Sequence, residues 1–163
     1  TGFTYDLNVD FDALREELGD EYVILFRVHY LVASKFSFDD YEGFIYNVSS
    51  YDDINHLYLI ADLLITDYSS IYIDYLLLER PMLFLPYDRE DYLKTRGFNF
   101  DYDEVTPGPK PKSYAEFLNS IEGLLYNEMN YVENRKKIER KFNKIQKPCS
   151  EDICRMVKMM CIR

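Results

Sequence analysis

The sequence predicts an α/β fold: a Rossmann-like parallel sheet with helices on both faces, formed by residues 1–163 as a single domain. Three observations carry that expectation. Runs of apolar β-formers alternate with helical patterns, the connections between runs are too long for hairpins, and the first run is nearly continuous in apolar character, as in a strand covered on both faces. With 163 residues, 47% hydrophobic and 29% charged, the chain is long enough to bury a core and too apolar for a disordered segment.

The elements follow in order. Phe11 to Leu18 reads as a short amphipathic helix with Phe11, Leu14 and Leu18 on one side, ended by Gly19. Tyr22 to Val28 is the first strand, and Gly43 to Val48 a shorter second one that runs into Ser49-Ser50. Asp52 to Ile60 is a helix with acid in its first turn. Asp62 to Thr66 is the third strand, Ile71 to Leu78 an apolar helix broken by Arg80-Pro81, and Met82 to Pro86 the fourth strand. Beyond lie a short helix from Asp88 to Thr95, a surface loop Pro107-Gly108-Pro109-Lys110-Pro111, and C-terminal helices over about 114–162. The last of these takes Ser150 as its N-cap, with Glu151 and Asp152 suitably placed behind it.

Charge excludes one function class. A net charge of -10 argues against a nucleic-acid binder, which needs a cationic surface. The exception is a basic stretch containing Arg135, Lys136, Lys137, Arg140, Lys141, Lys144 and Lys147. It reads either as a solvated helix face or as a contact with an anionic membrane surface, though its apolar side is thin. No apolar run approaches the ~20 residues of a membrane span. Cys149, Cys154 and Cys161 lack metal-ligand spacing and read as reduced cytosolic thiols. A start at Thr1 is the mark of a piece of something longer.

In an open parallel sheet, ligands bind beyond the carboxyl ends of the strands. That rule selects Arg27 and His29, two apart and so pointing the same way. It also selects Ser49 and Ser50, the segment Thr66-Asp67-Tyr68-Ser69-Ser70, and Tyr87, Asp88 and Arg89. The segment from Thr66 to Ser70 joins a buried strand to an apolar helix in few residues. Helix amides, the positive end of the helix dipole and the hydroxyls of Ser69 and Ser70 suit a pyrophosphate there; an ordinary serine N-cap fits the same residues. It contains no Gly, so it is neither a P-loop nor a dinucleotide fingerprint. His29 reads as a ligand or catalytic residue, whereas His56, in mid-helix, reads as exposed or capping. Asp74, one turn into the helix, reaches the site or favours the dipole. Arg96-Gly97 either supplies a cation to phosphates or ends a helix, with Gly at C′.

With these residues in view, the sequence resembles the CDP-glycerol glycerophosphotransferase family, the polymerases and primases of teichoic acid. The matching stretches are Phe26-Arg27-Val28-His29-Tyr30-Leu31, the run from Ala61 to Ser70, Ile73-Asp74-Tyr75 and Arg80-Pro81-Met82-Leu83-Phe84. Tyr87-Asp88, Tyr92, Arg96-Gly97-Phe98 and Pro107-Gly108-Pro109 follow in order and at the family's spacing. The resemblance implies the C-terminal, donor-binding domain of a two-domain GT-B type transferase. It implies transfer of glycerol phosphate from CDP-glycerol to an acceptor hydroxyl, with CMP leaving and no bound metal. It makes His29 the catalytic residue and assigns donor and phosphate contacts to Arg27, Thr66, Asp67, Ser69, Ser70, Asp74, Arg96 and Gly97. A second histidine, the base, belongs to an N-terminal domain outside this chain, so the chain alone is expected not to turn over. The implied partners are CDP-glycerol, a polyol-phosphate or lipid-linked acceptor and that missing domain. The implied place is the cytoplasm, at the inner face of the cell membrane.

Other readings compete. A receiver-like, non-catalytic nucleotide-binding domain needs acid at the end of the first strand, where this chain has Arg27 and His29. A sugar-nucleotide epimerase or glycosyltransferase shares the architecture and is separated by its base, uridine rather than cytidine. CDP-ribitol is an alternative donor that the sequence does not distinguish.

Overall fold

The structure, a computed structural model, describes residues 9–28, 37–126, 131–145 and 148–161. Among the described residues there are four strands, where four were expected: β1 (Ile24–Phe26), β2 (Ile45–Asn47), β3 (Leu64–Thr66) and β4 (Met82–Phe84). Among the described residues they form two parallel pairs, β1 with β2 and β3 with β4, in registers Ile24 to Ile45 and Leu64 to Met82. The strands are shorter than the apolar runs that announced them. β4 is bracketed by Pro81 and Pro86, neither of which has an amide hydrogen to give a ladder.

Helices lie between and around the strands. α1 (Phe11–Leu18) is capped by Asp10, whose side chain accepts from Ala13 N, and α2 (Ile54–Ile60) by Asp53, which accepts from Asn55 N. α3 (Ile71–Tyr75) continues as a 3-10 turn, Leu76–Leu78, and stops at Glu79 with φ 55, a left-handed residue. Arg80, which the sequence presents only as part of a helix break, donates to the carbonyls of Leu59 at 2.9 Å and Ala61 at 2.7 Å, so it caps the end of α2. α4 (Arg89–Thr95), α5 (Tyr102–Val105), α6 (Tyr114–Tyr126), α7 (Val132–Phe142) and α8 (Ser150–Cys161) complete the described set.

Strand alternation sorts the core into two layers. Leu83 points into a cluster with Leu14 and Leu18 of α1, Phe44 and Ile45 at β2, and Phe117, Ile121 and Leu124 of α6. Its neighbours Met82 and Phe84 point into a second cluster with Tyr58, Tyr72, Tyr75, Leu76, Tyr102 and Ile138. Helices therefore cover both faces of β4, as expected for this class. Because Ile45 and Leu83 share one cluster, the two strand pairs enclose a common core.

Two expectations need correction. The Pro-rich segment is not simply a surface loop: Pro107 and Gly108 are buried, and Pro109 O accepts from Phe84 N at 3.0 Å, alongside β4. A Cβ on Gly108 would lie 2.1 Å from Met82 O, so this close approach requires glycine. Ser150 is the first residue of α8 rather than its cap, since Ile153 N bonds to Cys149 O. Among the described residues no helix is long and apolar enough to cross a membrane.

Two measurements test this packing. Gly108→Ala should lower stability by about 1–3 kcal/mol in urea unfolding, the cost of overpacking. Gly123→Ala, in α6 with nothing within 4 Å of the added methyl, should leave stability unchanged or raise it by up to about 1 kcal/mol. Tyr75 is fully buried with its hydroxyl donating to Ala61 O at 2.8 Å, and burial pushes its pKa from 10.0 up to about 12. The folded state thus holds that proton more tightly than the unfolded chain. The stability it contributes is complete below pH 10 and is lost as pH rises toward 12. Tyr75→Phe should flatten the fall of unfolding free energy across that window.

Candidate functional site

The C-terminal edges of β3 and β4 meet where Leu85 N bonds to Thr66 O at 2.8 Å, and Thr66 is 8% exposed. Beyond it the chain turns sharply. Asp67 Oδ1 accepts from Ser69 N at 3.1 Å and Ser69 Oγ accepts from Ile71 N at 3.4 Å, two successive side-chain turns that start α3. Two amides at the helix start are thus already engaged by the loop's own side chains. Ser70 occupies the cap position without making a side-chain cap, and it is exposed, as is Asp74 one turn on.

Arg27 follows β1 and is exposed, yet its guanidinium donates to Val48 O at 3.1 Å and Tyr51 O at 2.6 Å. Next to it Val28 N donates to Ser49 Oγ at 3.1 Å. Arg27 therefore ties the ends of β1 and β2 together. The phenol of Tyr58 has its pKa raised first by burial and then by the Asp74 charge, with Arg27 opposing. His29 lies outside the described residues. His56 is exposed and pairs locally, Nδ1 with Tyr51 OH at 3.1 Å and Nε2 with Asp53 at 3.8 Å, as expected for a surface residue.

Arg96 and Gly97 adopt the helix-end geometry. Both amides bond to Tyr92 O, at 2.9 and 3.2 Å, and Gly97 has φ 73. The Arg96 side chain is exposed and makes no ion pair among the described residues.

An aromatic group that sequence reasoning missed supports the loop. Tyr68 stacks on Tyr92 of α4 at 4.0 Å and 24°, and Tyr92 stacks on Phe98 at 5.2 Å. Asp88 N donates to Tyr68 OH at 3.3 Å, while burial and then the Asp88 carboxylate push the Tyr68 pKa well up. On the other side, the buried Tyr102 of α5 donates to Asp67 O at 2.9 Å. Arg89 pairs with Asp103 at 2.8 Å and sits over the Tyr102 ring. A signal for α5 existed in the sequence: Asp101 precedes Glu104 by three, and Asp101 Oδ1 accepts from the amides of both Asp103 and Glu104. Among the described residues no cluster of His, Cys, Asp and Glu has the makings of a metal site.

Comparison with known proteins adds an independent line. The sequence profile of the family CDP-glycerol:poly(glycerophosphate) glycerophosphotransferase matches residues 1–158. The teichoic acid poly(glycerol phosphate) polymerase of Bacillus subtilis is 41% identical over 159 residues, which is 89% of this chain and 21% of that protein. The teichoic acid poly(ribitol-phosphate) polymerase of Bacillus spizizenii is 42% identical over 120 residues, 73% of this chain and 19% of that protein. A solved structure of a variant of the wall teichoic acid polymerase TagF, soaked with CDPG, superposes with a TM-score of 0.82 at 34% identity, covering 99% of this chain and 42% of that one. The chain thus spans well under half the length of these relatives.

The Tyr102 bond to the loop is directly testable. Tyr102→Phe should cost about 1 kcal/mol in urea unfolding, the worth of one hydrogen bond, and should speed amide exchange at Ser69 and Ser70. Unchanged exchange there would show that Tyr102 does not hold the loop.

Proposed function

This chain belongs to the CDP-glycerol:poly(glycerophosphate) glycerophosphotransferase family, and from that premise we propose that it is the C-terminal, donor-binding part of a longer GT-B type enzyme. In that enzyme, CDP-glycerol binds along the strand-end rim and glycerol phosphate passes to an acceptor hydroxyl of a teichoic acid or related polymer. The observation that carries this reading is the family match over residues 1–158, which takes in every rim residue from Arg27 to Gly97.

The chemistry is a displacement at phosphorus. The acceptor oxygen attacks the β-phosphorus, its proton passes to a base, the bond to the bridging oxygen breaks, and CMP leaves. Charge builds on the phosphoryl oxygens, so fixed donors placed there stabilise the transition state. In this reading Ser69, Ser70 and the remaining amides of the Thr66–Ser70 turn hold the pyrophosphate, with Asp67 shaping that turn. Arg27 and Arg96 supply positive charge, Gly97 lets the α4 terminus approach, and Asp74 meets the donor's hydroxyls. His29, two residues past Arg27, acts at the reacting phosphoryl group. The proton-accepting histidine comes from the missing domain, and no metal is assigned to the site. The acceptor is a polyol-phosphate or lipid-linked chain, which places the enzyme on the cytoplasmic side of the membrane, with basic α7 toward anionic lipid. The similar identity to a poly(ribitol-phosphate) polymerase favours one alternative, a CDP-ribitol donor.

Calorimetric titration of the chain should show CMP and CDP-glycerol binding, with UDP weaker. Equal affinity for UDP, or no cytidine binding, would sink the donor reading. Ser69→Ala combined with Ser70→Ala should weaken CDP-glycerol binding by about 1–3 kcal/mol, the scale of lost charge-assisted hydrogen bonds. Unchanged affinity would move the phosphates elsewhere.

A further inference from the structure

Beside the candidate phosphate loop lies a cavity of about 440 Å³ between α5, the Thr106–Lys110 segment and α7. Its size is that of a small-molecule site. None of its lining residues belongs to the donor rim described above. Tyr102 separates the two: its hydroxyl bonds the loop at Asp67 O, while Asp103 and Thr106, which flank it in sequence, line the cavity.

The lining has a distinctive chemistry. Its floor is Thr106-Pro107-Gly108-Pro109, and the two prolines have no amide hydrogens. Gly108 N is spent on Thr106 O at 3.0 Å, so the floor lacks free amides from Pro107, Gly108 and Pro109, and with Pro109 O taken by Phe84 N the Pro107 carbonyl is its open acceptor. Lys110 closes one side, donating to Thr106 O at 2.9 Å and to Gly108 O at 3.4 Å, with Asp103 at 3.8 Å. Its side chain is only 20% exposed, and burial lowers its pKa, which marks a water-poor wall where charge acts strongly. The opposite wall is α7, with Tyr131, Asn134 and Lys137. The side chains of Asn134 and Lys137 make no hydrogen bond or ion pair among the described residues. Asp103 and Glu104 supply carboxylates.

This set of groups selects among ligands. An apolar molecule would strand the Lys137 ammonium and the Glu104 carboxylate, and a bare polyanion would meet Asp103 and Glu104. A ligand carrying hydroxyls at one end and one phosphate at the other satisfies both halves: hydroxyls donate to the Glu104 carboxylate and the Pro107 carbonyl, and phosphate oxygens accept from Lys137 and Asn134, with the Lys110 charge behind them.

We propose that this cavity is a subsite for a polyol-phosphate unit of the acceptor chain, one residue removed from the donor loop. The proposal rests on the donor reading, because it makes the cavity the place where the acceptor lies next to the reacting end. Its contribution is positioning: a unit held here brings the neighbouring terminal hydroxyl toward the Thr66–Ser70 loop.

The test is a titration of the isotope-labelled chain, followed by amide NMR shifts, with glycerol 3-phosphate, glycerol, inorganic phosphate and CMP as separate probes. Glycerol 3-phosphate should give saturable shifts at Lys110, Asn134 and Lys137, and Lys137→Gln should weaken that binding about tenfold, as loss of one charge-assisted contact does. CMP should instead shift Thr66 to Ser70 and leave the cavity amides still. No saturable shift with glycerol 3-phosphate, equal shifts with inorganic phosphate, or displacement of glycerol 3-phosphate from these amides by CMP would each overturn the proposal. If CMP binds its loop while the cavity stays silent, only the acceptor subsite fails; if CMP does not bind, the donor reading itself fails.

Discussion

Met82, Leu83 and Phe84 are each fully buried, and that single condition organises the domain. Three consecutive residues of a strand lose all solvent only if both faces and both edges are covered. The faces are covered by the α1–α6 cluster and the α3–α7 cluster. One edge is β3, in register from Leu64 to Met82, and the other is the Pro109 carbonyl, accepting from Phe84 N. Gly108 follows from the same condition, since any side chain there would collide with the Met82 carbonyl.

The ends of those strands inherit this rigidity. Leu85 N holds Thr66 O, so the turn that follows starts from a fixed point, and its own Asp67 and Ser69 side chains shape what comes next. Around it the structure places aromatic rings. Tyr68 is held on one side by Tyr92 and Phe98 and lies near Tyr102 on the other. Stacked rings and one buried phenol hydroxyl fix the loop from both sides, the kind of support that preorganised electrostatic sites use. The loop lies within the 1–158 stretch that the family profile matches.

Much of this was legible in the sequence because it is local. The apolar runs at β1 to β4 and the ordered motifs from Arg27 to Pro109 act over short stretches of chain, where period and side-chain chemistry decide. The ends of elements were less legible. Ser150 has the composition of a cap but sits inside α8, and each strand kept only the residues whose partners lay opposite. The role of Arg80 was hidden because its partners, Leu59 and Ala61, lie some distance back in the chain.

By itself the sequence determined the fold class, the order of the strands and the family, since these depend on hydrophobic period and on motifs whose spacing is written along the chain. Only the tertiary structure decided which groups stand together. It turned Arg27 toward the carbonyls of Val48 and Tyr51, drew the Pro-rich segment in against β4, and set Tyr102 between the Thr66–Ser70 loop and a polar cavity. Each of those outcomes arises from contacts between residues far apart in sequence, whose geometry is set by how the layers pack rather than by any local preference.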